Sequence, residues 1–286
     1  MSRIEEAMRR TKDPGDPKDA DGPNTAADPF MPAWPEVEAG REPGEPEREP
    51  LPRGKVSISS TWREQLGSGP GGNPVLLEQF RRLAATLHHA RQTQSLRTVM
   101  VTSATPGDGK TLTACNLAFV LAESYGYRVL LMDADLRRPS ISNMIDLPEG
   151  GVGLAEALRA PTAQKLALVS LTSRLTLLPA GRPINNSISA LVSPRMRLIL
   201  EEASTKFDWV VVDAPPVGPT SDARLLSQMI GGTLFVIRAG KSQYADVQRG
   251  IDAVGREQIL GVVLNDVEMA ETDGYYYVGT GTGDQR

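Results

Sequence analysis

From residue 73 onward, runs of consecutive apolar residues alternate with stretches in which apolar positions recur every three or four residues. The uninterrupted runs are RTVMVTS (97–103), RVLLMDA (128–134), LTLLPA (175–180), DWVVVDA (208–214), GTLFVIRA (232–239) and GVVLNDV (261–267). Strands this apolar on both sides are covered on both faces, which is the signature of a parallel sheet between two helical layers. Helical spacing begins after Asn73-Pro74, with Leu76, Leu77, Phe80, Leu83, Ala84 and Leu87 on one side. It returns in KTLTACNLAFVLAESYG (110–126) and DVQRGIDAVGRE (246–257). The pattern predicts a single α/β domain over residues 70–270, with a doubly wound, mostly parallel sheet and helices on both faces. No internal repeat interrupts it.

The first part of the chain has a different composition. Ten of the 22 prolines fall before residue 54, among Asp, Glu and Gly, in runs such as KDPGDPKDADGP. So few large apolar residues cannot offset the entropy of ordering the chain, and residues 11–69 are expected to form a disordered, proline-stiffened tether. Residues 1–10 differ: Ser2 and Glu5 have capping-box spacing, and Ile4, Ala7 and Met8 share one face of a short amphipathic helix. That helix is either a frayed end or a docking element. Residues 271–286 form a glycine-rich tail in which Tyr275, Tyr276 and Tyr277 stand side by side, half of the chain's six tyrosines.

Net charge is −4 and the pI about 5.4, which argues against a nucleic-acid partner, whose binding surface would be basic. One cysteine, Cys115, precludes an internal disulfide and suits a reducing cytoplasm. It falls on a helix, as a small core side chain. The opening residues lack the apolar run of a signal peptide, and no apolar stretch of about 20 residues could span a bilayer. A cytoplasmic protein is expected, with any membrane link made through a partner. His88 and His89, adjacent on a helix with no carboxylate or thiol set beside them, read as surface or interface residues.

The chemistry concentrates in TSATPGDGKT (102–111), set between an apolar strand and a helix. After Pro106, which has no N–H of its own, backbone N–H groups around Gly107, Asp108 and Gly109 can curl about phosphate oxygens, and the following helix N-terminus adds partial positive charge. Lys110 would reach β- and γ-phosphates, and the Thr111 hydroxyl would ligate Mg2+. The usual P-loop pattern has glycine where this chain has Ala104, so the loop is P-loop NTPase-like with one departure. Two more strands end in acids: Asp133 and Asp135 in LLMDADLRRP, and Asp213 in VVVDAPP. Ligands in doubly wound sheets bind outside the carboxyl ends of strands, so all three carboxylates are expected to converge on the metal and phosphates.

Taken together, SATPGDGKT, LLMDADLR, VVVDAPP and the terminal tyrosines resemble the bacterial tyrosine kinases of the polysaccharide co-polymerase type. The resemblance covers about residues 73–277, and MSRIEEAMRR is similar to the start of the subgroup associated with exosortase and exopolysaccharide loci. It implies an ATP- and Mg2+-dependent autokinase that phosphorylates Tyr275, Tyr276 and Tyr277 of a neighbouring copy and regulates exopolysaccharide synthesis and export. Lys110, Thr111 and Leu112 would belong to the ATP site. Asp133 would orient or deprotonate the tyrosine hydroxyl or hold the metal, with Asp135 in support, and Asp213 would bind Mg2+ directly or through water. Arg137 would contact phosphates or the acidic tail, which carries Glu271 and Asp273 before the acceptors. Asn265 would contact adenine, or act as a turn residue. The implied partners are a membrane chain-length regulator that activates the kinase, further copies of the chain in a homo-oligomer, and protein tyrosine substrates. Localisation would be cytoplasmic and peripheral to the inner membrane.

The sequence departs from that family in one further place. The family often carries E-x-x-R-x-x-R on the helix before the phosphate loop, supporting ring assembly. Here Glu78 and Arg81 are followed by Ala84, and Arg82 is out of step. A switch ATPase of the partitioning or division-site type shares the loop and sheet, but has a lysine where this chain has Thr105, and lacks the tyrosine tail. A nucleotide-dependent scaffold is the third reading.

Overall fold

The computed structural model describes residues 73–267, apart from residues 146, 148–151, 162–164, 186 and 218–221. The amphipathic helix expected over 1–10, the tether over 11–69 and the tyrosines of the tail lie outside the described residues.

The first helix, α1 (Pro74–Gln94), starts where the sequence dictates. Asn73 Oδ1 accepts from the backbone N–H groups of Val75 and Leu76 at 2.9 and 3.3 Å, and Pro74 supplies a first-turn φ at no hydrogen-bonding cost. After β1 (Thr98–Ser103) comes α2 (Lys110–Glu123), apolar on nearly every side and buried along almost its whole length. The chain continues through β2 (Val129–Asp133), the short helices α3 (Ile141–Met144) and α4 (Leu154–Arg159), β3 (Val169–Ser170) and β4 (Leu175–Leu178). Then follow α5 (Ser187–Leu191), α6 (Pro194–Lys206), β5 (Trp209–Asp213), α7 (Asp222–Ser227), β6 (Thr233–Arg238), α8 (Tyr244–Val254) and β7 (Ile259–Asn265).

The strands form one seven-stranded sheet in the order β3-β4-β2-β5-β1-β6-β7. Every pairing is parallel except that of the two-residue β3 with β4. Each predicted strand is present. On one face Val99, Val101, Leu131, Val211 and Val236 pack with α1 and α2. The other carries Met100, Leu130, Met132, Val210 and Val212 against α4, α5 and α6, with Phe235 under α8. Alternate residues of the same apolar runs feed both layers, which is why the strands read as unbroken.

Helices α3, α4, α5, α6 and α7 and strand β3 go beyond the sequence reading. Most are four to six residues long, too short for a periodic signal. By contrast, α6 buries Met196, Ile199, Leu200 and Ala203 behind a Ser193-Pro194 start, a legible helical stripe. His88 is half-buried, its Nδ1 2.6 Å from the Tyr127 hydroxyl, and His89 is exposed. Cys115 is fully buried in the core, and burial pushes its thiol pKa up.

Candidate active site

Parallel strands release their loops at one edge, so the carboxyl ends of β1, β2 and β5 meet there. Asp133 and Asp213 are register partners on adjacent strands, and Val101 of β1 is aligned with Asp213. The loop after β1 rises beside them and feeds α2. Its two glycines take left-handed backbone angles, φ 88° at Gly107 and 97° at Gly109, which a residue with a β-carbon adopts only with strain. At Gly109 a β-carbon would also collide with the Asn265 side-chain amide. The glycines found in the sequence are therefore required by the path of the loop.

Lys110, the first residue of α2, lies back across the strand ends. Its ammonium is 3.2 Å from Asp135 and 3.5 Å from Asp213, and donates to the Thr111 hydroxyl at 3.3 Å. The Thr111 hydroxyl in turn lies 2.9 Å from that of Ser140. Asp133 is fully buried and accepts from the backbone N–H groups of Asp135 and Ile141, while Asp135 accepts from Arg138 N–H at 3.1 Å. Asp213 is fully buried, with Lys110 as the cation beside its Oδ1.

Three buried aspartates thus face one buried ammonium, and the electrostatics follow. Burial pushes the Asp133 carboxyl up to about 8, reinforced by the charge of Asp213 and opposed by that of Lys110. Asp213 is raised too, again through burial. Lys110 loses hydration on burial, yet the aspartates around it hold its pKa above the ordinary value. With every group charged the cluster is short of two positive charges, a deficit that a divalent cation fits. Among the described residues no three His, Cys, Asp or Glu side chains are placed to cage a metal. Mg2+ is a divalent cation held by one or two carboxylates, with waters and phosphates as its other ligands.

A cleft of about 1170 Å³ opens in front of this cluster. Pro106, Gly107, Gly109, Lys110, Thr111 and Leu112 line it, joined by Asp135, Arg137 and Arg138. Pro215 and Pro216, which follow Asp213, close one side. Six of the eight residues predicted to cradle a nucleotide therefore share one wall. The other two are placed differently. The Asp108 carboxylate turns into the loop, accepting from Thr105 N–H at 3.0 Å and from the hydroxyls of Thr105 and Ser242. Asn265 stands behind the loop and donates to the Asp108 carbonyl at 3.0 Å. Asp133 and Asp213 sit beneath the wall, and Asp135 forms its surface. Arg137 lines the cleft and donates through Nε to Ser187 at 2.8 Å. Ser140, Arg138, Arg249 and Asp246 complete the surroundings; they carry no motif and become visible only through the fold.

On α1, Glu78 pairs with both Arg81 and Arg82, at 3.9 and 3.8 Å, whereas Ala84 is fully buried. The position where the resembled family has its second arginine is therefore a core position here.

Comparison with known proteins narrows the reading. A family model described as ParA, NUBPL iron-transfer P-loop NTPase, matches residues 94–275. An iron–sulfur cluster is held by several thiolates, and this chain has one cysteine, in its core. The P-loop NTPase part of that description is what the residues support. Tyrosine-protein kinase YwqD of Bacillus subtilis is 33% identical over 71% of this chain and 86% of its own length. The chain belongs to the bacterial tyrosine kinases. The solved kinase domain of the Escherichia coli tyrosine kinase ETK superposes on this family member with a TM-score of 0.61 at 29% identity, covering 68% of this chain and 78% of that one. The succinoglycan biosynthesis transport protein ExoP of Rhizobium meliloti is 33% identical over 69% of this chain, but over only 26% of its own length. No helix among the described residues is long and apolar enough to cross a membrane. Where the switch ATPases carry a second loop lysine, this kinase has Thr105, whose hydroxyl is engaged with Asp108.

Proposed function

We propose that this chain is an ATP-dependent protein-tyrosine kinase that phosphorylates Tyr275, Tyr276 or Tyr277 of a second copy, and through that regulates export of an extracellular polysaccharide. The observation that carries the reading is Lys110 held between Asp135 and Asp213 beneath a glycine loop, over a buried Asp133 whose carboxyl sits near 8. The loop N–H groups from Gly107 to Thr111 bind phosphate oxygens, and the N-terminus of α2 adds its dipole. Magnesium supplies charge neutralisation on those oxygens when bound; Thr111 and Asp213, with Asp133 beside them, are the side chains that would hold it.

The tyrosine oxygen attacks the terminal phosphorus of ATP, the new O–P bond forms as the bond to the β-phosphate oxygen breaks, and ADP leaves. The phenolic proton passes to Asp133. A carboxylate of ordinary pKa near 4 is a weak base for a phenol near 10; burial raises Asp133 toward a better match, while the charge of Lys110 favours the ionised form that accepts the proton. Lys110 stabilises the charge that grows on the departing oxygens. Arg137 and Arg138, at the mouth of the cleft, suit an acceptor preceded by Glu271 and Asp273.

YwqD supports kinase activity for a chain of this extent, and ExoP supports a link to polysaccharide export. The activator is a membrane chain-length regulator, which holds this chain at the inner membrane from the cytoplasmic side. Transfer between copies calls for an oligomer, although the buried Ala84 withdraws one arginine from the usual ring contact.

The test is to incubate the chain with ATP and Mg2+, with and without the cytoplasmic end of such a regulator, and to map phosphate by mass spectrometry. Phosphate is expected on at least one of Tyr275, Tyr276 and Tyr277. A tail left unmodified in both conditions overturns the proposal.

A further inference from the structure

The phosphate loop is gripped on its far side by the end of the sheet that leads into the tail. Arg238, the last residue of β6, reaches the Gly107 carbonyl through Nη1 at 3.4 Å and donates through Nε to Asp266 at 2.8 Å. Its own backbone N–H donates to the Ser242 hydroxyl at 2.8 Å, and that hydroxyl donates to Asp108 at 2.8 Å. Asn265 completes the clasp: its side chain donates to the Asp108 carbonyl, and its carbonyl accepts from Ala239 N–H at 2.8 Å. Gly107 and Asp108 are thus held from β6, β7 and the turn between β6 and α8, through atoms that do not point into the cleft. A glycine loop has little rigidity of its own, so contacts of this kind decide whether its N–H groups are already aimed when phosphate arrives.

Asp266 gives the clasp its second property. It directly follows β7 and takes a left-handed backbone angle, φ 59°, uncommon outside glycine and best tolerated by Asn and Asp. Its carboxylate pairs with Arg238 and lies 3.9 Å from Lys241. The chain runs on from Val267 toward the tyrosines, only nine residues from Asp266 to Tyr275. The arginine that touches the phosphate loop is therefore oriented by the root of the tail.

We propose that Arg238 is a positioning residue for the phosphate loop, set in place by Asp266, so that the tail root and the nucleotide site are coupled. The inference rests on the nucleotide reading of the loop given above, and is independent of transfer to tyrosine. By reciprocity, whatever displaces the tail root weakens nucleotide binding, and bound nucleotide steadies the tail root.

The test is mant-ADP binding with Mg2+, followed by fluorescence, on the full chain and on R238Q, D266N and the double variant, with thermal melting alongside. Arg238→Gln removes a charge-assisted contact to the loop and is expected to raise the mant-ADP Kd about tenfold. Asp266→Asn keeps the left-handed turn while removing the charge, and is expected to raise Kd about threefold. The double variant should bind no more weakly than R238Q, because the two residues act through one path. A purely structural role would lower the melting temperature and the binding amplitude while leaving Kd of the folded fraction unchanged. If R238Q fails to fold, D266N alone decides through its Kd. Unchanged Kd values, or effects of the two substitutions that simply add, overturn the coupling while leaving the nucleotide site standing. A wild-type chain that does not bind mant-ADP overturns both.

Discussion

Replacing Lys110 with methionine is expected to abolish tail phosphorylation and to weaken ATP binding severely. The ammonium contacts two aspartates of the cluster, and the loop brings its charge beneath the phosphates. Loss of a single preorganised stabilising group of this kind costs about a hundred- to a thousandfold in rate. Methionine fills a similar volume, so the loss is one of charge. It also removes the positive charge that lies 3.2 Å from Asp135 and 3.5 Å from Asp213, and breaking one side of a buried pair costs about 3–5 kcal/mol. The variant should therefore melt at lower temperature than wild type, least so at low pH where the aspartates are protonated. Phosphorylation assays on Lys110→Met, with circular dichroism to confirm the fold, check both parts. Unchanged tail phosphorylation in the folded variant would show that a different kinase modifies the tail.

Asp133→Asn separates catalysis from stability, and the two should move in opposite directions. As a proton acceptor, Asp133 is worth about a hundred- to ten-thousandfold in turnover, and asparagine cannot replace it. The stability effect follows from the raised carboxyl. In the unfolded chain Asp133 ionises near pH 4, and in the folded one near 8. Between these values the folded state holds an extra proton, so the group's contribution to stability is full below pH 4 and is lost as pH rises through 8. Without Mg2+ or nucleotide, wild type should lose melting temperature between pH 5 and pH 8. Asparagine mimics the protonated form at every pH and should remove about 5 °C of that loss. Equal pH dependence in the two proteins would mean that the fold does not raise the Asp133 carboxyl, and its match to the phenol would fall with it.

How much of this was legible in the chain differs between fold and site. The six main strands were readable because strands buried on both faces leave no polar gaps, and α2 because it is buried along the centre of one layer. The phosphate loop and the strand-end aspartates were readable because their chemistry is local: a glycine path, a lysine and a threonine within ten residues, and acids at the ends of apolar runs. The orientation of those groups was not. That Asp135 rather than Asp133 lines the cleft, or that Asp108 turns inward to Thr105 and Ser242, depends on backbone angles and distant partners. Asn265 is the plainest case. Its place at the end of a strand left a base contact and a turn role equally open, and the fold shows its amide donating to the Asp108 carbonyl, 157 residues away in sequence. Arg238 and Ser242 gave no signal at all, since an arginine ending a strand and a serine in a turn are ordinary until the loop they grip is in place.

The whole account depends on a magnesium nucleotide seated over Lys110 where β1, β2 and β5 end. The most direct measurement is a crystal structure of the chain with ADP and Mg2+. The β-phosphate is expected within hydrogen-bonding distance of the N–H groups between Gly107 and Thr111, with Lys110 turned toward it. The metal is expected about 2.1 Å from the Thr111 hydroxyl, with Asp213 as a direct ligand or joined to it through one water. ADP bound in another cleft, or Asp133 and Asp213 turned away from the metal, would contradict it.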